Sequence, residues 1–211
     1  MYNNTTVFLI RHGKIDNPNN IVYGSNIEMH LTDEGRIQFK HFAIRIRESG
    51  EIPSKIISSP LERAVDSARI LAKEWDIAEI EKEPDLKDCF IPAVAGKKLG
   101  FLDELYKKGT DEYSEEFVKL GNESREDIGD RMLRVFNKAI LENSTTALVS
   151  HGDPIFFLMY KLENPNSQIP TMSLSKRMSE YLEKGHAWKL VIDGGGKILS
   201  KERISPEWSE S

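Results

Sequence analysis

Three short strand-like runs constrain this chain more than any other feature: residues 6–10, 55–58 and 145–149, each with a helical pattern downstream. Thr6-Val7-Phe8-Leu9-Ile10 shows no polar alternation, the pattern of a strand covered on both faces. After it, Thr32 reads as the N-cap of a helix to about Glu48 with Ile37, Phe42, Ile44 and Ile46 inward, stopped by Gly50 and Pro53. Ser59-Pro60-Leu61-Glu62 combines a capping serine, a first-turn proline and a capping-box glutamate, opening a helix through Ala64, Ala68, Leu71 and Ala72 to Trp75. An edge strand follows near residues 77–81 and ends before Pro84. Ser124 and Asp127 cap a long helix carrying Ile128, Met132, Val135, Phe136, Ala139 and Ile140 at helical spacing. Asp153-Pro154 offers an N-cap for a helix over 155–162, and residues 186–192 and 197–203 around Gly194-Gly195-Gly196 read as a closing hairpin. The alternation argues an α/β fold: a three-layer sandwich with a central, mostly parallel sheet and helices on both faces. Residues 85–123, with short helical patterns near 99–107 and 111–120 separated by Gly109, read as a variable insertion in a single domain spanning 1–211.

Composition narrows the function classes. Hydrophobic residues make up 39% and charged residues 30%, the proportions of an ordinary globular chain rather than a disordered or collagen-like one. A net charge of −5 provides no global field for nucleic acid or an anionic membrane, so neither is an expected partner and any anion site is local. The most apolar stretch, 145–160, contains His151 and Asp153 and is too short to span a bilayer. The N-terminus has no signal-peptide core, and the single cysteine, Cys89, excludes an internal disulfide and a cysteine-type zinc site. The expectation is a cytoplasmic protein.

Ligands of open α/β sheets bind beyond the carboxyl ends of the strands. Those ends are followed here by Arg11-His12-Gly13, by Ser58-Ser59-Pro60-Leu61-Glu62-Arg63 and by Ser150-His151-Gly152-Asp153. Each segment alone reads as a loop or a solvated charge; together they bring two histidines, two arginines and two helix N-termini to one edge. Planar guanidinium groups bind two oxygens at once and stay charged, so the expected ligand is a tetrahedral oxyanion, a phosphate ester above all.

Phe8-Leu9-Ile10-Arg11-His12-Gly13 resembles the signature of the histidine phosphatase superfamily, the phosphoglycerate-mutase-like proteins. Leu31-Thr32-Asp33-Glu34-Gly35-Arg36, Ser58-Ser59-Pro60-Leu61-Glu62-Arg63-Ala64 and Leu148-Val149-Ser150-His151-Gly152 resemble its next landmarks, in order, over roughly residues 5–162. The resemblance implies that His12 is a nucleophile taking up a phosphoryl group, that Arg11, Arg63 and His151 hold its oxygens, and that Asn17 helps line the pocket. It implies no metal and no other cofactor, and the sequence carries no H-E-x-x-H or phosphate-loop motif. Asp85-Leu86-Lys87-Asp88, with Gly96 to Leu99 behind it, resembles the segment carrying the family's acid and places Asp88 in that role. The match departs from the pattern: aspartate replaces a common glutamate, Val94-Ala95-Gly96 stands where tryptophan-glutamate-glycine is common, and Tyr23-Gly24-Ser25 lacks an arginine frequent there. Asp153 and Glu28 are the alternative acids. Lys97, Lys98, Lys107 and Lys108 read as solvated charges or as contacts to an anionic substrate, and His30, His41 and His186 as structural. The implied activity is metal-independent hydrolysis of a small phosphomonoester through phosphohistidine, by a phosphoric monoester hydrolase. A phosphoglycerate-type mutase and a non-catalytic phosphate-binding module are the alternatives. An exposed edge strand leaves room for a homodimer.

Overall fold

The computed structural model describes residues 4–171 and 180–206. Strands β1 (Thr5–Arg11), β2 (Lys55–Ser58), β3 (Ile80–Lys82), β4 (Thr146–Ser150), β5 (Ala187–Ile192) and β6 (Ile198–Ile204) form one sheet in the order β3-β2-β4-β1-β5-β6. The first four are mutually parallel, β5 runs antiparallel to β1, and β6 runs antiparallel to β5. The fold is therefore a mixed, mostly parallel α/β sheet with helices on both faces.

The unbroken apolar character of β1 follows from the period of two along a strand. Phe8 and Ile10 point to one face, where α1 (Asp33–Ser49) and α2 (Glu62–Trp75) cover them with Phe39, Phe42, Ile46 and Leu71. Val7 and Leu9 point to the other, against Met132 and Phe136 of α5 (Arg125–Leu141) and Ile155 and Leu158 of α6 (Gly152–Glu163). Phe8, Phe39 and Phe42 are fully buried, each contributing about 1.5–3 kcal/mol. The Trp75 indole ties the two helices of the first face together by donating to the Ala43 carbonyl at 2.9 Å.

Several local expectations shift. Helix α1 buries Phe39, Phe42, Ala43 and Ile46, whereas Ile37 is 43% exposed, because docking selects the stripe that meets the sheet. Ser59 does not cap α2: Leu61 is the N-cap, the helix starts at Glu62, and the Leu61 N–H, ahead of the helix, donates to the Ser59 hydroxyl at 3.3 Å. Asp153 lies inside the first turn of α6, which His151 caps. The edge strand is Ile80–Lys82, and Pro84–Leu86 form a 3-10 turn.

The 85–123 segment carries α3 (Gly100–Lys107) and α4 (Glu115–Lys119) around its own apolar cluster, in which Ile91, Val94, Leu102 and Phe117 pack on Ile128 of α5 and Phe156 and Phe157 of α6. Among the described residues, no helix is long and apolar enough to cross a membrane.

Candidate active site

Parallel strands in register bring their carboxyl ends to one edge: Arg11 pairs with Ser150 and Ser58 with Val149. The ladder extends one residue further, with the His12 N–H donating to the Ser150 carbonyl at 3.1 Å and the Ser59 N–H to the Val149 carbonyl at 2.9 Å. His12, Ser59 and His151 consequently leave three adjacent strands side by side. The two imidazoles are buried, with ring centroids 5.1 Å apart and planes at 59°.

Each ring is held by a different device. His12 Nδ1 lies 2.8 Å from the Gly13 carbonyl, which can only accept, so Nδ1 carries the proton and Nε2 keeps its lone pair. Burial, then the neighbouring His151, Arg63 and Arg11, pushes the His12 pKa well below the usual imidazole value, leaving a neutral ring near pH 7. His151 Nε2 is hydrogen-bonded to Ser59 Oγ at 2.8 Å. Its Nδ1 is buried, 3.6 Å from Asp88 Oδ2 and outside hydrogen-bond range. Burial, with Arg63, Arg131 and Arg11, pushes this ring's pKa well down too.

The arginines are partly satisfied. Arg63, fully buried in the first turn of α2, donates from Nη2 to the Gly24 carbonyl and to Asp88 Oδ2, both at 2.8 Å. Among the described residues its Nε and Nη1 are buried without a hydrogen-bond partner, as is Nε of Arg11. Arg11 Nη1 donates to the Leu182 carbonyl at 2.6 Å, and its guanidinium lies over the Tyr181 ring at 4.9 Å; that of Arg63 lies over Tyr23 at 5.2 Å. Buried donors left unpaired cost about 1–3 kcal/mol each, so their concentration beside two neutral imidazoles marks a site built for an anion.

A cavity of about 400 Å³ opens onto this edge, bounded by Arg11, His12, Asn17, Asp88, Gly152 and Asp153. Gly152 is required there, because a Cβ would lie 2.2 Å from Tyr181 Oη and 2.9 Å from Arg11 Cζ. The Asn17 amide lines the cavity but spends both polar atoms on its own turn, donating to the Ile21 carbonyl at 2.9 Å and accepting from the Ile21 N–H at 3.1 Å. Of the candidate acids, Asp88 lines the cavity, with Oδ1 accepting from the Cys89 N–H at 3.0 Å and Oδ2 on Arg63. Asp153 also lines it, accepting from Tyr181 Oη at 2.5 Å and from Tyr113 Oη. Glu28 is not among the lining residues and accepts from the Glu62 N–H at 3.1 Å. Lys97 lies over the Phe101 ring, Lys98 donates to the Asn19 carbonyl and Lys107 pairs with Glu104; none of these, nor Lys108, lines the cavity.

Sequence reasoning missed Lys184, which lines the cavity with Lys14. Burial, reinforced by Arg11, Lys14 and Arg63, lowers its ammonium pKa to about 8. Its only signal is position, just before β5, where the Gly185 N–H reaches the carbonyls of Arg11 at 3.2 Å and His12 at 3.0 Å.

The fold and the edge site define an α/β protein that carries paired neutral histidines between arginines at the carboxyl edge of its sheet. The model of the histidine phosphatase superfamily (branch 1) matches residues 7–184, and the chain belongs to that family. It is 26% identical over 173 residues to a metal-independent phosphoserine phosphatase of Arabidopsis thaliana, covering 77% of this chain and 71% of the relative. It is also 26% identical over 217 residues to a 2,3-bisphosphoglycerate-dependent phosphoglycerate mutase of Bartonella henselae, covering 95% and 98%. The solved structure of mycobacterial hydrolase 1 shares the fold, with a TM-score of 0.77 at 18% identity over 98% of this chain and 100% of that one. Family members thus include phosphatases and mutases.

Proposed function

We propose that the protein is a metal-independent phosphatase that hydrolyses a small phosphomonoester through phosphohistidine at His12. The observation that carries this reading is the His12 ring: neutral, with Nδ1 tied to the Gly13 carbonyl and Nε2 left as a lone pair beside two guanidinium groups with unpaired donors. In the first step Nε2 attacks phosphorus in line, the P–O ester bond breaks, and the leaving oxygen takes a proton from Asp88. Arg11, Arg63 and His151 hold the equatorial oxygens, with Asn17 at the pocket wall, where preorganised donors act most strongly. In the second step Asp88 takes a proton from water, the hydroxide attacks phosphorus, and the N–P bond breaks to release phosphate and restore the lone pair. Nucleophile, charge stabilisation and proton carrier are all supplied by side chains, which supports a route without metal.

Asp88 is favoured over Asp153 as the acid because it rests on Arg63 and lies 3.6 Å from His151, whereas Asp153 is held by Tyr113 and Tyr181. Chain length does not separate phosphatase from mutase, since the Bartonella henselae enzyme matches over 98% of its own length. The charge distribution favours the phosphatase. The basic lining residues, Arg11, Lys14 and Lys184, act on one another as a single cluster, and the other charged lining residues, Asp88, Glu112 and Asp153, are acidic. That pattern suits one phosphoryl group on an uncharged alcohol better than a doubly anionic product held for return transfer. The test is hydrolysis of phenyl phosphate in excess chelator, with acid-labile, base-stable phosphate on His12 trapped by quenching. Turnover that survives chelation and vanishes in His12→Ala is expected. Full activity in His12→Ala, or interconversion of phosphoglycerate isomers without phosphate release, would overturn the reading.

A further inference from the structure

We infer that Arg131, 43 residues from Asp88 in sequence and outside the cavity, is a positioning residue that sets where the Asp88 carboxyl stands. The inference rests on the phosphatase reading and deepens it. Arg131 lies on α5, 8% exposed, and all five of its guanidinium N–H donors are spent. Nη1 donates to the carbonyls of Asp85 and Lys87, each at 2.7 Å, and Nη2 to the Asp88 carbonyl at 3.3 Å. The remaining two, from Nε at 2.6 Å and Nη2 at 3.2 Å, go to the carboxylate of Glu123, which also accepts from the Phe90 N–H at 3.1 Å. The main chain on both sides of Asp88 is thereby fixed to one rigid plane carried by a long helix. A second tie holds the same turn to the sheet, from Ser150 Oγ to the Leu86 carbonyl at 2.8 Å.

Such a clamp matters more for aspartate than for glutamate. A side chain one methylene shorter cannot make up a retreat of its own backbone, and a misplacement of about 1 Å can cost about 100-fold in a positioned reaction. Lysine cannot replace the clamp: its three donors on a point charge cannot span three carbonyls and a carboxylate in one plane. The geometry therefore separates two roles that a stability measurement would confuse, a tie that keeps the protein folded and a tie that keeps the acid in reach of the leaving oxygen.

The experiment compares kcat/KM for phenyl phosphate, whose leaving group needs a proton, with that for 2,4-dinitrophenyl phosphate, whose leaving group does not. For Arg131→Lys, a loss of about 10- to 100-fold on the first ester and under about 3-fold on the second is expected, since a general acid is worth about 100-fold or more. In an Asp88→Asn background the same substitution should cost under about 2-fold on either ester, because a residue acting only through Asp88 has nothing left to position. Glu123→Gln, which keeps acceptors for the guanidinium but weakens its hold, carries the same comparison should Arg131→Lys not fold. Equal losses on both esters, no loss on either, or an undiminished loss in the Asp88→Asn background would overturn the inference. Wild-type protein inert toward both esters would instead overturn the phosphatase reading itself.

Discussion

At the residue scale, the site consists of ionisable groups whose protonation is set by burial and by one another. Lys184 is the clearest case outside the family's motifs. Its ammonium is lowered to about 8 by burial and by Arg11, Lys14 and Arg63, so a bound phosphoryl group gains from its charge below that pH and loses the gain as pH rises through it. Lys184→Met should weaken inorganic phosphate binding at pH 7 by about tenfold, the worth of one charge-assisted hydrogen bond. By pH 9.5 the wild-type and variant affinities should converge. Calorimetric titration across this range checks it, and a wild-type advantage unchanged at high pH would show that the ammonium does not act on the ligand. The positions of His12 and His151 at the sheet edge were legible in the sequence because each stands two residues past an apolar strand run. The partner of His151 was not: Ser59 carries the local signature of a helix cap, yet its hydroxyl is bonded to an imidazole 92 residues away.

At the scale of elements, the loop after β1 depends on how closely α1 approaches it. A Cβ on Gly35, in the first turn of α1, would lie 2.3 Å from the carbonyl oxygen and 2.8 Å from the nitrogen of Lys14. A Cβ on Gly13 would in turn lie 2.9 Å from the Gly35 carbonyl oxygen. Both obstacles are backbone, so Gly35→Ala must push the helix and the His12 loop apart, at about 1–3 kcal/mol. Urea denaturation should show that loss together with reduced turnover. Gly100→Ala, where nothing lies within 4 Å of the added carbon, should leave both unchanged. Equal midpoints for the two variants would refute the close-packing account. Element types were readable from periodicity, whereas the caps expected at Ser59 and Asp153 each moved by two residues, to Leu61 and His151. Capping preferences are worth about 1 kcal/mol and yield to the needs of the site.

At the scale of the whole molecule, two buried neutral histidines make stability depend on pH in a known direction. Their folded pKa values lie well below the unfolded value, so the unfolded chain takes up protons first as pH falls. Their full contribution is present above about pH 6.5 and is lost on acidification, at up to about 1.4 kcal/mol per pH unit for each ring. The urea midpoint should therefore fall between pH 6.5 and 5, before most carboxylates titrate, and fall less steeply in His12→Asn. A flat profile over that interval would show that the rings are not held neutral.

The sequence by itself determined the α/β class, the strands that end at one edge, and the placement of Arg11, His12, Arg63 and His151 just beyond those ends, because these follow from backbone preferences and apolar patterning within about ten residues. Only the tertiary structure decided that Ser59 holds His151, that Asp88 rests on Arg63, that Lys184 joins the cation cluster and that Arg131 ties down the turn carrying Asp88. Those contacts span 25 to 92 residues where their separations are fixed by hydrogen bonds. They exist because sheet register and helix docking, cooperative outcomes of burying both faces of β1, bring distant side chains within hydrogen-bond reach, and no local pattern encodes that distance.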